Sequence, residues 1–135
     1  KSLGAAKSFD AYIPEIYSLE AYVALQLEDL EGAYSGYRDA VFLSPENPQF
    51  LYELAFVCHL QGDFQKTIKW LEQIDLSQCS ELMVADVFSL KAEMYLSQDD
   101  KSSARVEINN GLEYLPNNKS LMENFDLLQK ENTAA

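Results

Sequence analysis

The chain reads as all-α: a right-handed solenoid of helix–turn–helix repeats. Three observations carry that reading. Laid over itself at an offset of 34 residues, the sequence repeats its pattern: residues 14–22 return at 48–56 and again, 37 residues further on, at 85–93. The 4 prolines and 5 glycines fall mostly at joints, leaving the helical stretches between them uninterrupted. Small residues recur in register, with Ala21, Ala55 and Ala92 on first helices and Ala33, Thr67 and Ala104 on second helices. A period in this range marks supersecondary units that cannot bury their apolar faces alone and must stack.

The elements follow in order. Repeat one occupies residues 14–47, with helices predicted over 14–27 and 30–43. Pro14 suits a first helical turn, where its missing N–H costs nothing, and Glu28-Asp29 stands where the turn is needed. Ser44-Pro45-Glu46-Asn47-Pro48 then stops one helix and starts the next unit. Repeat two occupies 48–84, with helices predicted over 48–61 and 64–75 around Gly62-Asp63. Gly62 is placed as a C-terminal residue with positive φ and Asp63 as an N-cap. A short insertion at 77–82 explains the longer spacing before repeat three, residues 85–118, whose helices are predicted over 82–97 and 101–114 around Gln98-Asp99-Asp100. A capping helix over 119–131 places Leu121, Met122, Phe125 and Leu128 on one face and Glu123, Asp126 and Lys130 on the other, and 132–135 is a tail. In residues 1–13, Leu3, Ala5, Ala6 and Phe9 read either as the remnant of a preceding helix or as an N-terminal cap.

The small and large positions resemble the tetratricopeptide repeat (TPR). Unit one offers Tyr17, Glu20, Ala21 and Ala24, then Ala33, Tyr37, Ala40 and Pro45. Unit two offers Leu51, Leu54, Ala55 and Cys58, then Thr67, Leu71 and Ile74, without a closing proline. Unit three offers Phe88, Lys91, Ala92 and Tyr95, then Ala104, Ile108, Gly111 and Pro116. Glu20 and Lys91 stand where the family has leucine. The physical logic is independent of the resemblance: two helices approach closely only where small residues sit at their crossing. Trp70 is expected to look outward or towards the third unit, with Leu71 at the crossing.

Composition narrows the partners. With 22 acidic against 10 basic side chains, the net charge of −12 repels nucleic acid and anionic lipid. No stretch approaches the ~20 apolar residues of a membrane helix, so no membrane insertion is expected, and a cytoplasmic location is the default. Cys58, amid apolar neighbours, reads as a small core residue; Cys79 lies in a loop, and no disulfide framework is expected.

Little in the chain points to chemistry. His59 is the only histidine, and with Cys58 and Cys79 it does not make a zinc site or a nucleophile pair. The carboxylate pairs Glu28-Asp29 and Asp99-Asp100 fall in turns, and no P-loop, dinucleotide fingerprint or calcium loop is present. No metal, cofactor or enzymatic activity is expected.

In a solenoid of this kind the first helices line a concave groove. The candidate groove residues are Glu15, Leu19 and Tyr22 in repeat one, Tyr52, Glu53, Phe56 and His59 in repeat two, and Asp86, Leu90 and Glu93 in repeat three. Apolar anchors ringed by acids suit a protein or peptide segment with apolar and basic side chains. The resemblance thus implies a non-catalytic scaffold or adaptor. Two alternatives stay open: a chaperone similar to those of type III secretion, and a spacer or assembly segment of a larger protein. The grip on a chaperone C-terminal carboxylate seen in some relatives is not expected, because Ser18, Tyr22, Glu53, Asp86 and Leu90 supply no positive charge there.

Overall fold

The computed structural model describes residues 13–134, with side chains as far as residue 130. The N-terminal segment proposed over 1–13 therefore lies, apart from Ile13, outside the described residues. Every regular element described is helical: α1 (Pro14–Gln26), α2 (Leu30–Leu43), α3 (Pro48–Leu60), α4 (Phe64–Glu72), a 3₁₀ turn (Leu76–Gln78), α5 (Glu81–Ser97), α6 (Lys101–Tyr114) and α7 (Lys119–Ala134). None of these is long and apolar enough to cross a membrane. The chain forms two compact units, one ending at Asp75 and the other beginning at Leu76.

Each turn inside a repeat is built the same way. Glu28, Gly62 and Asp99 occupy equivalent places, with φ of 61°, 80° and 60°. The amide of the next residue reaches back to close a Schellman motif: Asp29 N to Ala24 O at 2.8 Å, Asp63 N to Cys58 O at 3.0 Å and Asp100 N to Tyr95 O at 2.9 Å. Those same aspartates then cap the second helices, accepting from the amides of Gly32, Lys66 and Ser103 at 3.0 Å each. One residue thus ends one helix and starts the next. Gly62 and Asp63 behave as the sequence predicts; Glu28 and Asp99 hold a left-handed conformation without glycine's freedom.

Between repeats a second joint recurs. Asn47 accepts from the amides of Gln49 and Phe50 at the start of α3, and Asn118 accepts from that of Leu121 at the start of α7. Ser80 caps α5 through the Met83 amide. That cap starts α5 at Glu81, one residue before the expected 82. α4 is shorter than expected and stops at Glu72, because Gln73 and Ile74 make tight bonds to Trp70 O and Leu71 O that close the last turn. Ile74 is buried from just beyond the helix end rather than within it. α7 runs past the expected 131 to Ala134.

In the first unit α1 packs on α2, α2 on α3 and α3 on α4. Ala21, Ala33, Ala55 and Thr67 are fully buried, and the Thr67 hydroxyl donates to Asp63 O at 2.8 Å. The α1–α2 crossing is closer than alanine pairs require. A Cβ added at Gly36 meets the Ala21 Cβ at 2.8 Å and the Tyr17 carbonyl at 2.9 Å. Leu54 is fully buried, whereas Glu20 at the same repeat position is only half-buried.

The second unit packs α5 on α6 and α6 on α7, with a lighter contact between α5 and α7. Its core joins Phe88, Ala92, Ala104, Ile108, Leu121 and Leu128. At Gly111 an added Cβ lies 3.0 Å from Phe88 and 3.0 Å from Leu121, so a side chain there would press both neighbours aside by a few tenths of an ångström. Lys91 carries its ammonium over the Phe88 ring, 5.5 Å from the centroid. On α7, Leu121 and Leu128 are buried, but Met122, expected on the same face, is exposed, as is Asp126.

Gly36→Ala should overpack the first crossing and cost roughly 1–3 kcal/mol, read as a lowered melting temperature; an unchanged one would contradict the geometry. The turns give a second test. Left-handed backbone costs an L-residue ~1–2 kcal/mol, and glycine's extra chain entropy offsets ~0.5–1 kcal/mol of any relief. Glu28→Gly should therefore stabilise by up to about 1 kcal/mol, while Asp29→Ala should cost about 1 kcal/mol, both measurable by denaturant unfolding.

Candidate functional site

In the first unit the face shared by α1 and α3 brings together most of the residues expected there. Glu53 is its centre. The Ser18 hydroxyl on α1 donates to Glu53 Oε1 at 3.4 Å, and the Gln49 carboxamide, one turn earlier on α3, donates to Oε2 at 2.9 Å. Both carboxylate oxygens are thereby oriented on a half-buried side chain. Along α3 the Tyr52 and Phe56 rings stack at 6.5 Å with planes 19° apart, and His59 tilts against Phe56 at 6.3 Å. On α1, Leu19 and Tyr22 are 51% and 54% exposed, and Glu15 stands exposed in the first turn.

Beneath this face lies Tyr37 of α2, whose part in it the sequence reading missed. Its phenol pKa is pushed up to about 12, chiefly by burial, then by the charge of Glu53 and by Tyr22. At neutral pH it is therefore a neutral hydroxyl. One signal was available: the equivalent positions are Leu71 and Ile108, so a phenol at this crossing has a polar atom to satisfy.

In the second unit the candidates divide. Glu93 is exposed on α5, and Asp86 is half-buried with its carboxyl pKa raised by that burial. Leu90 corrects the expectation of a groove anchor. It is 4% exposed and belongs with Val87 and Met94 to a stripe spaced three and four residues apart on one side of α5, all of it buried. A cavity of about 270 Å³ opens between α5, α6 and α7, lined by Ser89, Ala92, Glu93, Leu96, Ile108, Asn124, Leu127 and Leu128. The α7 contribution was not anticipated. Asn124 stands three residues after Leu121 and four before Leu128, which places it on the same helix face as those buried leucines.

The reactive side chains are quiet. The Cys58 thiol is pushed up to about 11, mainly by burial, with Lys66 opposing and Asp63 adding, so it stays protonated at neutral pH. Cys79 is half-buried, and no disulfide joins it to Cys58. No three His, Cys, Asp or Glu side chains among the described residues gather as metal ligands do. Trp70 is half-buried under the Lys69 ammonium, 5.2 Å from its ring, with its indole N–H buried and no acceptor among the described residues.

Comparison with known proteins defines the class. No protein-family model matches the sequence, and no curated protein matches it. Solved structures do. The chain is similar to MamA, with a TM-score of 0.77 at 13% identity over 97% of this chain and 75% of that one. It is similar to YrrB, a TPR protein with an unusual peptide-binding site, with a TM-score of 0.72 at 14% identity over 98% of this chain and 66% of that one. A TPR repeats protein of Bacteroides fragilis NCTC 9343 has a TM-score of 0.72 at 13% identity over 90% of this chain; the chain spans only 55% of that protein's length. At these identities the likeness establishes architecture. The chain has the all-α tetratricopeptide-repeat fold that its small-residue register predicts.

Asp86 gives a pH test. Its folded pKa lies above the unfolded carboxylate value, so the stability of its protonated form is present below that value and is lost as pH rises through the folded pKa. Asp86→Asn should raise the melting temperature at neutral pH, and the gain should vanish in acid. A gain independent of pH would remove burial of the charge as its cause.

Proposed function

We propose that the chain is a non-catalytic protein–protein interaction module whose first unit receives a peptide segment carrying a basic side chain between apolar ones. The observation that carries this reading is the Glu53 carboxylate. It is oriented by donors from two helices and half-buried, on the helix that also carries the stacked Tyr52 and Phe56 rings. A fixed, partly buried anion favours a guanidinium or ammonium by charge, and exposed ring area on the same helix adds cation–π attraction. The exposed Leu19 and Tyr22 alongside offer apolar surface for flanking residues. The net charge of −12 supports the same polarity of ligand at long range. The other acids with assigned roles, Asp29, Asp63 and Asp100, serve as helix caps, and the Cys58 thiol is held protonated, so these groups are engaged in structure rather than in chemistry. The peptide-binding site named for YrrB supports this use of the fold.

A peptide with arginine between two leucines should bind with an on-rate that falls about tenfold or more from low to high ionic strength. Glu53→Lys should slow association by more than the loss of the Ser18 and Gln49 hydrogen bonds lowers folding stability. Glu53→Gln should also lower the Tyr37 pKa from about 12, which shows by absorbance titration that the substitution acted at the intended place. Binding indifferent to this charge reversal, or a natural ligand rich in Asp and Glu, would sink this reading.

A further inference from the structure

The cavity in the second unit is a separate site with its own chemistry. Its floor is apolar and made by three helices: Ala92 of α5, Ile108 of α6 and Leu128 of α7 are all buried. Its lips are apolar and uncovered, with Leu96 39% exposed on α5 and Leu127 58% exposed on α7. Its rim is polar and holds Ser89 and Asn124, both half-buried, and the exposed Glu93. The outer turns of α7 add exposed Glu123 and Asp126 nearby in sequence.

Size decides what enters. Pockets for cofactors and drug-sized molecules run ~300–1,000 Å³. At about 270 Å³ and open on one side, this cavity lies at the foot of that range and has room for one large aliphatic side chain, with the rest of its owner left outside. The rim decides the owner's class. A carboxamide both donates and accepts, as does a hydroxyl, so Asn124 and Ser89 match both polar groups of a peptide unit. A membrane lipid or a bare hydrocarbon would leave those groups unpaired. An acid at the mouth, on a chain of net charge −12, excludes acidic neighbours and favours basic ones.

We propose that this cavity is an anchor pocket for one unbranched or γ-branched aliphatic side chain, leucine or methionine, of an extended peptide. Asn124 and Ser89 hold the main chain beside the anchor, and Glu93 selects a lysine or arginine next to it. The two leucine lips close over the anchor and lose their exposed apolar area. This is independent of the Glu53 face: the residues are different, and either assignment can fail while the other stands.

The test uses the whole chain and the blocked peptide acetyl-Gly-Lys-Leu-Lys-Gly-amide, followed by nuclear magnetic resonance. Addition of the peptide should shift signals of Ser89, Leu96, Asn124 and Leu127, while signals on α1 and α3 report the other face separately. Replacing the peptide's leucine by alanine should weaken this binding about tenfold or more, and replacing its lysines by glutamate should abolish the shifts. Leu127→Ser removes an exposed lip without touching the core and should weaken binding similarly; Asn124→Ala should do so with the melting temperature retained. Absence of shifts at these four residues overturns the proposal, as does binding unaffected by leucine-to-alanine replacement. Leucine amide alone binding as tightly as the peptide would also overturn it, since the pocket would then be a small-molecule site.

Discussion

Everything in this fold depends on how closely two helices within one repeat can approach. That distance is set by backbone, not by side-chain complementarity. Where Ala21 faces Gly36, there is no room for another methyl group, and where Gly111 sits between Phe88 and Leu121 the fit in the second unit is tight but less strict. Close approach puts the larger neighbours, Tyr37, Leu71 and Ile108, fully inside. It also turns other faces of the first helices outward, where Glu53 and Phe56 stand half-buried and Glu93 is exposed. A looser pair would need larger crossing residues and would present different faces.

The turns supply the complementary constraint. A residue with positive φ followed by an aspartate reverses the chain in the fewest residues, and the three copies differ only in whether the first residue is glycine. The aspartates are therefore structural despite their charge, and Asp100, held by the Ser103 amide and hydroxyl, has its carboxyl pKa lowered in consequence. Three of the 22 acidic side chains are thus tied to architecture. The acids at the faces are few, and their surroundings rather than their number distinguish them.

How much of this was legible follows from which features repeat. Ala21, Ala55 and Ala92 could be read because one steric requirement recurs three times at one register. Gly36 could not, because its equivalents are Trp70 and Glu107, so the closest crossing has no threefold echo. The left-handed turns were visible at Gly62 alone, since glutamate and aspartate carry no local sign of positive φ. Leu90 was misplaced for a geometric reason: a 3.6-residue period defines a face, but the boundary between a buried stripe and an open one lies within a single residue's rotation. The Glu53 face was located from the resemblance, yet its organisation was not, since hydrogen bonds from Ser18 and Gln49 depend on rotamers. The α7 pocket escaped because a terminal helix was read for what it covers and not for what it encloses.

The exposed side of α7 has a consequence for lengthening such arrays. Counted from the shared asparagine caps, Met122, Asp126 and Gln129 occupy the places of Leu51, Ala55 and Cys58, the surface on which a first helix receives its own partner. A carboxylate stands where the crossing demands a methyl group, so an incoming helix would have to bury an unpaired charge. Concatenation of further units onto this helix is therefore a matter of side-chain chemistry: conversion of Asp126 and Gln129 to small apolar residues would turn a terminus into an internal module. The same two positions tell a designer which helices in a string of repeats can be extended and which are built to face water.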